Sequence, residues 1–225
     1  MNVNKEEYDK IEGYMKKCCG ESIHDEEHIY RVLYNALEIA DSEENVDINI
    51  LITACLLHDI ARIDELKDKT IDHAVYGSEK AYNWLISNGF DESFSKKTAQ
   101  CIKTHRYRGN NIPESIEAKI LFDADKIDAA GFIGIARTLM YKGVIGEPLY
   151  VKQNGKILDG TDGNKSFFNE YTYKLSNVYN KLFTDRAKQM TIKMKRDARY
   201  FYETLYNDLN NSNIYGQEKI KNLLD

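Results

Sequence analysis

The spacing of apolar residues predicts helices along almost the whole chain. Between Glu26 and Asp41, Ile29, Val32, Leu33, Ala36, Leu37 and Ala40 recur every three or four residues, with Arg31, Asn35 and Glu38 on the other side. That stripe predicts an amphipathic helix. Residues Ile48 to Ile60, INILITACLLHDI, are apolar nearly throughout and too many for a strand, and Asp47 suits an N-cap. They predict a buried central helix. A helical pattern returns from Asp72 to Ser87 and stops at Asn88-Gly89, a left-handed terminator, and the next helix is predicted from about Glu92 to His105.

From Pro113 to Tyr141 the pattern predicts one long helix opening on proline, with Ile116, Ile120, Ala124 and Ile127 in one stripe and Gly131 and Gly134 marking a close packing contact. Residues Gly143 to Lys165 carry five glycines and Pro148, so they predict a loop with a short hairpin around YVKQNGKIL. Phe168, Tyr171, Leu175, Val178 and Leu182 form another helical stripe. Thr184-Asp185 are placed to cap a last long helix with Ala187, Met190, Met194, Ala198 and Leu205 inward. The expected fold is all-α: a helical core over residues 1–141, a glycine-rich loop over 142–166, and C-terminal helices over 167–225 packing on the same domain.

Composition narrows the function. With 42% hydrophobic and 30% charged residues the chain is globular, not disordered or fibrous. A net charge of -5 argues against broad binding to nucleic-acid polymer or anionic membrane, so a polyanionic ligand needs a local positive site. Cys18, Cys19, Cys55 and Cys101 include no CxxC pair and read as reduced thiols. The N-terminus lacks the apolar core of a signal peptide, and no stretch reaches the roughly 18 apolar residues of a membrane span. The expectation is a cytoplasmic protein.

All five histidines, His24, His28, His58, His73 and His105, lie in the first 105 residues. His58-Asp59 places two ionisable groups at the end of an otherwise apolar helix, a costly position unless they are paired or metal-bound. Alone, the dipeptide reads as a solvated helix end; its company changes that. His28 borders an apolar stripe. In FDADKIDA, at about 100° per residue, Asp125 and Asp128 share a face while Asp123 points nearly opposite. The bland alternative is a solvated acidic face, against which stand Ile120, Leu121, Phe122 and Ile127. Imidazoles from His28 and His58 with carboxylates from Asp59 and Asp125 would make a mixed nitrogen and oxygen shell suited to Mn, Fe, Co, Ni or Zn, leaving two octahedral positions for water and substrate. Such an ion lowers the pKa of its water and polarises a phosphoryl oxygen.

The segments HDEEHIYRV, ACLLHDIAR and AKILFDADKIDAAGFIGIAR, with DHAVYGSEKA and KTHRYRG between them, resemble the HD-domain metal-dependent phosphohydrolases in motif order and separation. Within that superfamily the chain looks most like the compact bacterial branch that includes nucleoside-triphosphate pyrophosphohydrolases. The resemblance implies a helical bundle, metal ligands His28, His58, Asp59 and Asp125, and a supporting or structural Asp123. It implies hydrolysis of a small phosphorylated metabolite, foremost a nucleotide, by attack of metal-activated water on phosphorus. Where family members often carry a histidine near the C-terminal KL dipeptide, this chain has Tyr171 and Tyr173.

His73 and His105 have three readings: core-edge histidines, phosphate contacts beside a single ion, or ligands of a second ion. The phosphate reading is preferred, and with it one ion per chain over two. His73 opens a helix whose first N–H groups favour an anion, and Arg106 and Arg108 follow His105. Lys103 and Lys126 extend this basic edge. Arg62 and Glu65 would contact phosphate or relay a proton beside Asp59, although a solvated turn explains them equally. Two other functions stay open, a di-iron HD oxygenase and a nucleotide-sensing module without turnover. A homodimer is a further expectation.

Overall fold

A computed structural model describes residues 4–19, 23–106 and 111–225, the side chains of 23–25 excepted. Arg108, expected at the basic edge, lies outside the described residues, as does the side chain of His24. The chain divides into two compact units, the first formed by residues up to Asp128 together with Leu182–Ala187, the second by Ala129–Lys181 and Lys188–Asp225.

The first unit is built from α1 (Lys5–Cys19), α2 (Ile23–Ala40), α3 (Ile48–Leu57), α4 (Arg62–Lys67), α5 (His73–Ser87), α6 (Glu92–Thr104) and α7 (Ile116–Asp128). Because α3 is apolar all round, it sits in the middle, with α1, α2, α6 and α7 packed against it and Leu51, Ala54, Cys55, Leu56 and Leu57 inaccessible to solvent. Aspartates start three of these helices: Asp47, Asp72 and Asp91 accept from backbone amides of the first turn of α3, α5 and α6. Helix α3 stops at Leu57, short of the expected Ile60. The Cys55 carbonyl, which a continuing helix would pair with the Asp59 amide, accepts instead from His58 Nδ1 at 2.8 Å, and the chain turns at His58-Asp59.

The long helix expected from Pro113 to Tyr141 is two helices. Pro113 precedes the first, whose opening is capped by Ser115, with the Ala118 amide 3.2 Å from its Oγ. The second, α8 (Gly131–Val144), follows a break at Ala129-Ala130, where Ala130 is extended and Gly131 takes φ +59°. Glycine adopts that conformation without the strain a side chain brings, and a Cβ on Gly131 would lie 3.1 Å from Met194. Gly134 permits the break itself, since its Cβ would fall 2.1 Å from the Ala129 carbonyl oxygen.

In the second unit, β1 (Lys152–Gln153) and β2 (Lys156–Ile157) form the expected antiparallel hairpin, turned by Asn154 and Gly155 at φ 50° and 78°. The next predicted helical stripe splits into α9 (Phe167–Tyr173) and a 3₁₀ helix (Leu175–Lys181). The last helix, α10 (Asp185–Leu224), starts at the expected Thr184 cap, whose Oγ1 accepts from the Ala187 amide. Phe167, Phe168 and Tyr171 pack with Phe201 and Tyr202 of α10, Tyr171 stacking on Tyr202 at 4.2 Å. Tyr171 is thus a core residue, while the exposed Tyr173 donates its hydroxyl to the Thr161 carbonyl. Among the described residues no helix is long and apolar enough to cross a membrane.

Gly134→Ala should destabilise the protein by roughly 1–3 kcal/mol, the usual cost of overpacking. Gly13→Ala, in the interior of α1 with open space around it, should stabilise by roughly 0.5–1 kcal/mol. Urea denaturation of both variants checks the contrast, and equal midpoints would contradict it.

Candidate metal centre

Four imidazoles from four different helix segments meet around one carboxylate. His28 comes from the interior of α2, His58 from the C-cap of α3, His73 from the first position of α5 and His105 from the C-cap of α6. All four are buried. Asp59, next to His58 in the turn, presents Oδ2 to His28 Nε2 at 3.7 Å and His58 Nε2 at 3.8 Å. Its Oδ1 faces His73 Nε2 at 3.0 Å and His105 Nε2 at 3.7 Å. Asp125 of α7 adds Oδ1 at 3.4 Å from His28 Nε2.

The other ring nitrogens are already committed. His58 Nδ1 donates to the Cys55 carbonyl and His105 Nδ1 to the Ile102 carbonyl at 2.6 Å. His28 Nδ1 meets Asp128 Oδ2 at 2.7 Å, and His73 Nδ1 meets Glu65 Oε2 at 2.7 Å. A carbonyl or carboxylate only accepts, so Nδ1 of His28, His58 and His105 bears the proton and, in a neutral ring, Nε2 points a lone pair inward, whereas His73 Nδ1 also stands 3.0 and 3.1 Å from the Arg106 and Arg62 donors. His28 and His58 then bring two such nitrogens within 3.4 Å of each other. Lone pairs facing at that distance repel unless a cation or a shared proton lies between them. Ligands at about 2.0–2.2 Å from one ion stand roughly 3.0–3.4 Å apart, close to the separations here.

Electrostatics agree with a cation-accepting site. Burial alone would lower the pKa of His28, but hydrogen bonds to Asp125 and Asp128 outweigh it and raise the value to about 9. Burial lowers His58 to about 4, leaving it a neutral donor. Asp59 and Asp125 stay ionised well below the usual carboxylate range, their burial outweighed chiefly by His58 for the first and by Lys126 and His28 for the second. Among the described residues two groups are able to hold an ion, His28 with His58 and Asp125, and Asp59 with His73 and His105.

The basic side chains border these groups. Arg62 and Arg106 both donate to Glu65, at 2.9 and 2.7 Å, and Glu65 is held at about pKa 2, burial being outweighed by His73 and Arg106. Lys126 Nζ reaches Asp125 Oδ2 at 2.8 Å. Lys103 is exposed and lines a groove with Ser78, Tyr82 and Gln100 instead. Asp123 is fully buried and turned away from the cluster, accepting from the Phe183 and Thr184 amides and the Thr184 hydroxyl. The helical wheel separated Asp123 from Asp125 correctly. It also put Asp128 on the Asp125 face, but the partnership of Asp128 with His28 and Arg31 depends on how α7 packs on α2.

A helical bundle with a His-Asp turn at the end of its central helix defines the HD-domain proteins. Residues 26–130 match that family, described as HD domain, and the chain belongs to it. The uncharacterized protein YpgQ of Bacillus subtilis is 28% identical over 190 residues, covering 83% of this chain and 84% of its own. The crystal structure of YpgQ in complex with ADP superposes with a TM-score of 0.70 at 27% identity, over 89% of this chain and 94% of that one. An HD-superfamily hydrolase from Bacillus thuringiensis gives 0.72 at 30% identity, over 92% and 98%.

Glu65 should stabilise the metal-free protein above the ordinary carboxylate pKa of 4.5 and lose that contribution as pH falls toward its folded value of about 2. The stability difference between wild type and Glu65→Gln, from urea denaturation in chelator, should therefore shrink between about pH 5 and about pH 3. A constant difference would contradict the ionised network.

Proposed function

We propose that the protein is a metal-dependent phosphohydrolase acting on a small phosphorylated metabolite, a nucleotide foremost. The observation that carries this reading is the convergence of four Nε2 atoms on Asp59 beside Arg62, Arg106 and Lys126. His28, His58, Asp59 and Asp125 would hold the ion, their two neutral nitrogens and two carboxylates suiting Mn, Ni, Co, Fe or Zn. When bound, a divalent ion supplies an acidified water and polarisation of a phosphoryl oxygen.

The remaining residues bind and orient. Arg62 and Arg106, held side by side on Glu65, offer guanidinium donors to phosphate oxygens, and Lys126 adds a further cation beside Asp125. Glu65 receives three donors and stays ionised, which fits it better as the anchor of both arginines than as a proton relay. The nucleotide assignment draws support from YpgQ, a relative whose structure is known in complex with ADP.

A second reading places another ion between Asp59, His73 and His105 in place of direct phosphate contacts by the two histidines. The approach of both Nε2 atoms to Asp59 Oδ1 favours it. Two metals per wild-type chain and one per His105→Ala chain, by elemental analysis, would establish this reading. One in each would return both histidines to phosphate. Two irons with oxygen-dependent turnover would replace hydrolysis by oxidation.

Manganese-loaded protein, screened against nucleoside mono-, di- and triphosphates, should release orthophosphate or pyrophosphate, and Asp59→Ala should lose metal and at least about 100-fold of the rate together. No release from any nucleotide, or an Asp59→Ala variant that retains metal and rate, would overturn the assignment. Because His28 titrates near 9 without metal, loading at about pH 7.5 should expel about one proton per chain. Calorimetric heats of Mn²⁺ binding should then vary with the ionisation enthalpy of the buffer; heats independent of the buffer would contradict a protonated His28.

A further inference from the structure

The four imidazoles are aimed by two different devices. His58 and His105 sit at helix C-termini, where the carbonyl three residues back is available to receive Nδ1–H. His28 has no such option. It lies well inside α2, where the preceding carbonyls are used by the helix itself, so its acceptor must come from another helix. Asp128 of α7 supplies it.

We propose that Asp128, clamped by Arg31, is a positioning residue that fixes the tautomer and direction of His28. The proposal rests on the reading of His28 as a metal ligand. Arg31 Nε meets Asp128 Oδ1 at 2.5 Å and Arg31 Nη2 meets Oδ2 at 3.2 Å, a two-pronged contact that sets the plane of the carboxylate. Oδ2 then takes His28 Nδ1 at 2.7 Å. Nδ1 and Nε2 lie on opposite sides of an imidazole, so holding the first aims the second at Asp59 and Asp125. Asp128 is almost wholly buried, as is Asp123 five residues earlier on α7, yet the two are spent differently. Asp123 fastens the start of α10, whereas Asp128 orients a ring. Hydrogen-bonded carboxylates behind a ligating histidine raise its basicity, and their loss commonly costs 10–100-fold in metal affinity.

Mn²⁺ titration of the metal-free full chain, with free Mn²⁺ read by electron paramagnetic resonance, tests this alongside thermal unfolding and the visible spectrum of the Co²⁺ form. Asp128→Ala should bind Mn²⁺ about 10–100-fold more weakly and shift the Co²⁺ bands. Asp128→Asn keeps a carbonyl acceptor for Nδ1–H and should recover part of the affinity. Asp123→Asn should unfold at lower temperature with affinity unchanged. If Asp128→Ala does not fold, Arg31→Gln carries the test, with several-fold weaker binding expected. Wild-type affinity in Asp128→Ala or, where that variant fails, in Arg31→Gln overturns the positioning role, provided that His58→Ala loses binding. Equal weakening in Asp123→Asn and Asp128→Ala also overturns it, since affinity would then follow the stability of α7. A wild type that binds no Mn²⁺, or a His58→Ala variant that binds like wild type, overturns the metal assignment and this proposal with it.

Discussion

The Asp59 carboxylate is the constraint around which the first unit is organised. It stands in a turn at the end of the most hydrophobic helix of the chain, and four imidazole nitrogens face its two oxygens. An anion largely removed from water must be compensated, by a His28 of raised pKa in the metal-free protein or by a cation among the imidazoles. The protein therefore invests in acceptors for every Nδ1, two from the backbone and two from arginine-bound carboxylates. This outer layer keeps the rings pointing at Asp59, so the cluster presents a cradle for a cation instead of a set of mutually paired side chains.

The surrounding fold serves the same end. Apolar α3 fills the centre and delivers His58-Asp59 at its terminus, and α6 ends on His105 by the same carbonyl contact. Aspartate caps start α5 and α6, and the α5 cap fixes where His73 stands. Asp123 uses both its oxygens on the segment leading into α10, close in sequence to Asp125 yet on the opposite side of α7. One short helix thus divides its three aspartates among an anchor, a carboxylate facing His28 and Lys126, and the partner of His28 Nδ1.

Much of this was legible in the chain. Period and capping placed α2, α5 and α6 within a residue or a few of their ends, because one-sided stripes and aspartate caps are local signals. The break between α7 and α8 was not, since residues on both sides favour helix and only the left-handed Gly131 and the tight Gly134 show where continuation fails. At the site, the structure gathers His28, His58 and Asp125 in one group and Asp59 with His73 and His105 in another. What sequence could not yield was the division of labour behind them: Asp128 of α7 meets Arg31 of α2, and Glu65 of α4, already paired within its own helix with Arg62, meets Arg106 from beyond the end of α6. His73 and His105 illustrate the same limit, for their approach to Asp59 is a product of packing.

Anomalous diffraction at the manganese edge from crystals grown with Mn²⁺ tests the central claim most directly. A peak about 2.0–2.2 Å from Nε2 of His28 and of His58 and from a carboxylate oxygen of Asp59 and of Asp125 is the predicted result. Well-diffracting crystals with no peak there, or with manganese bound only at sites remote from Asp59, would contradict it.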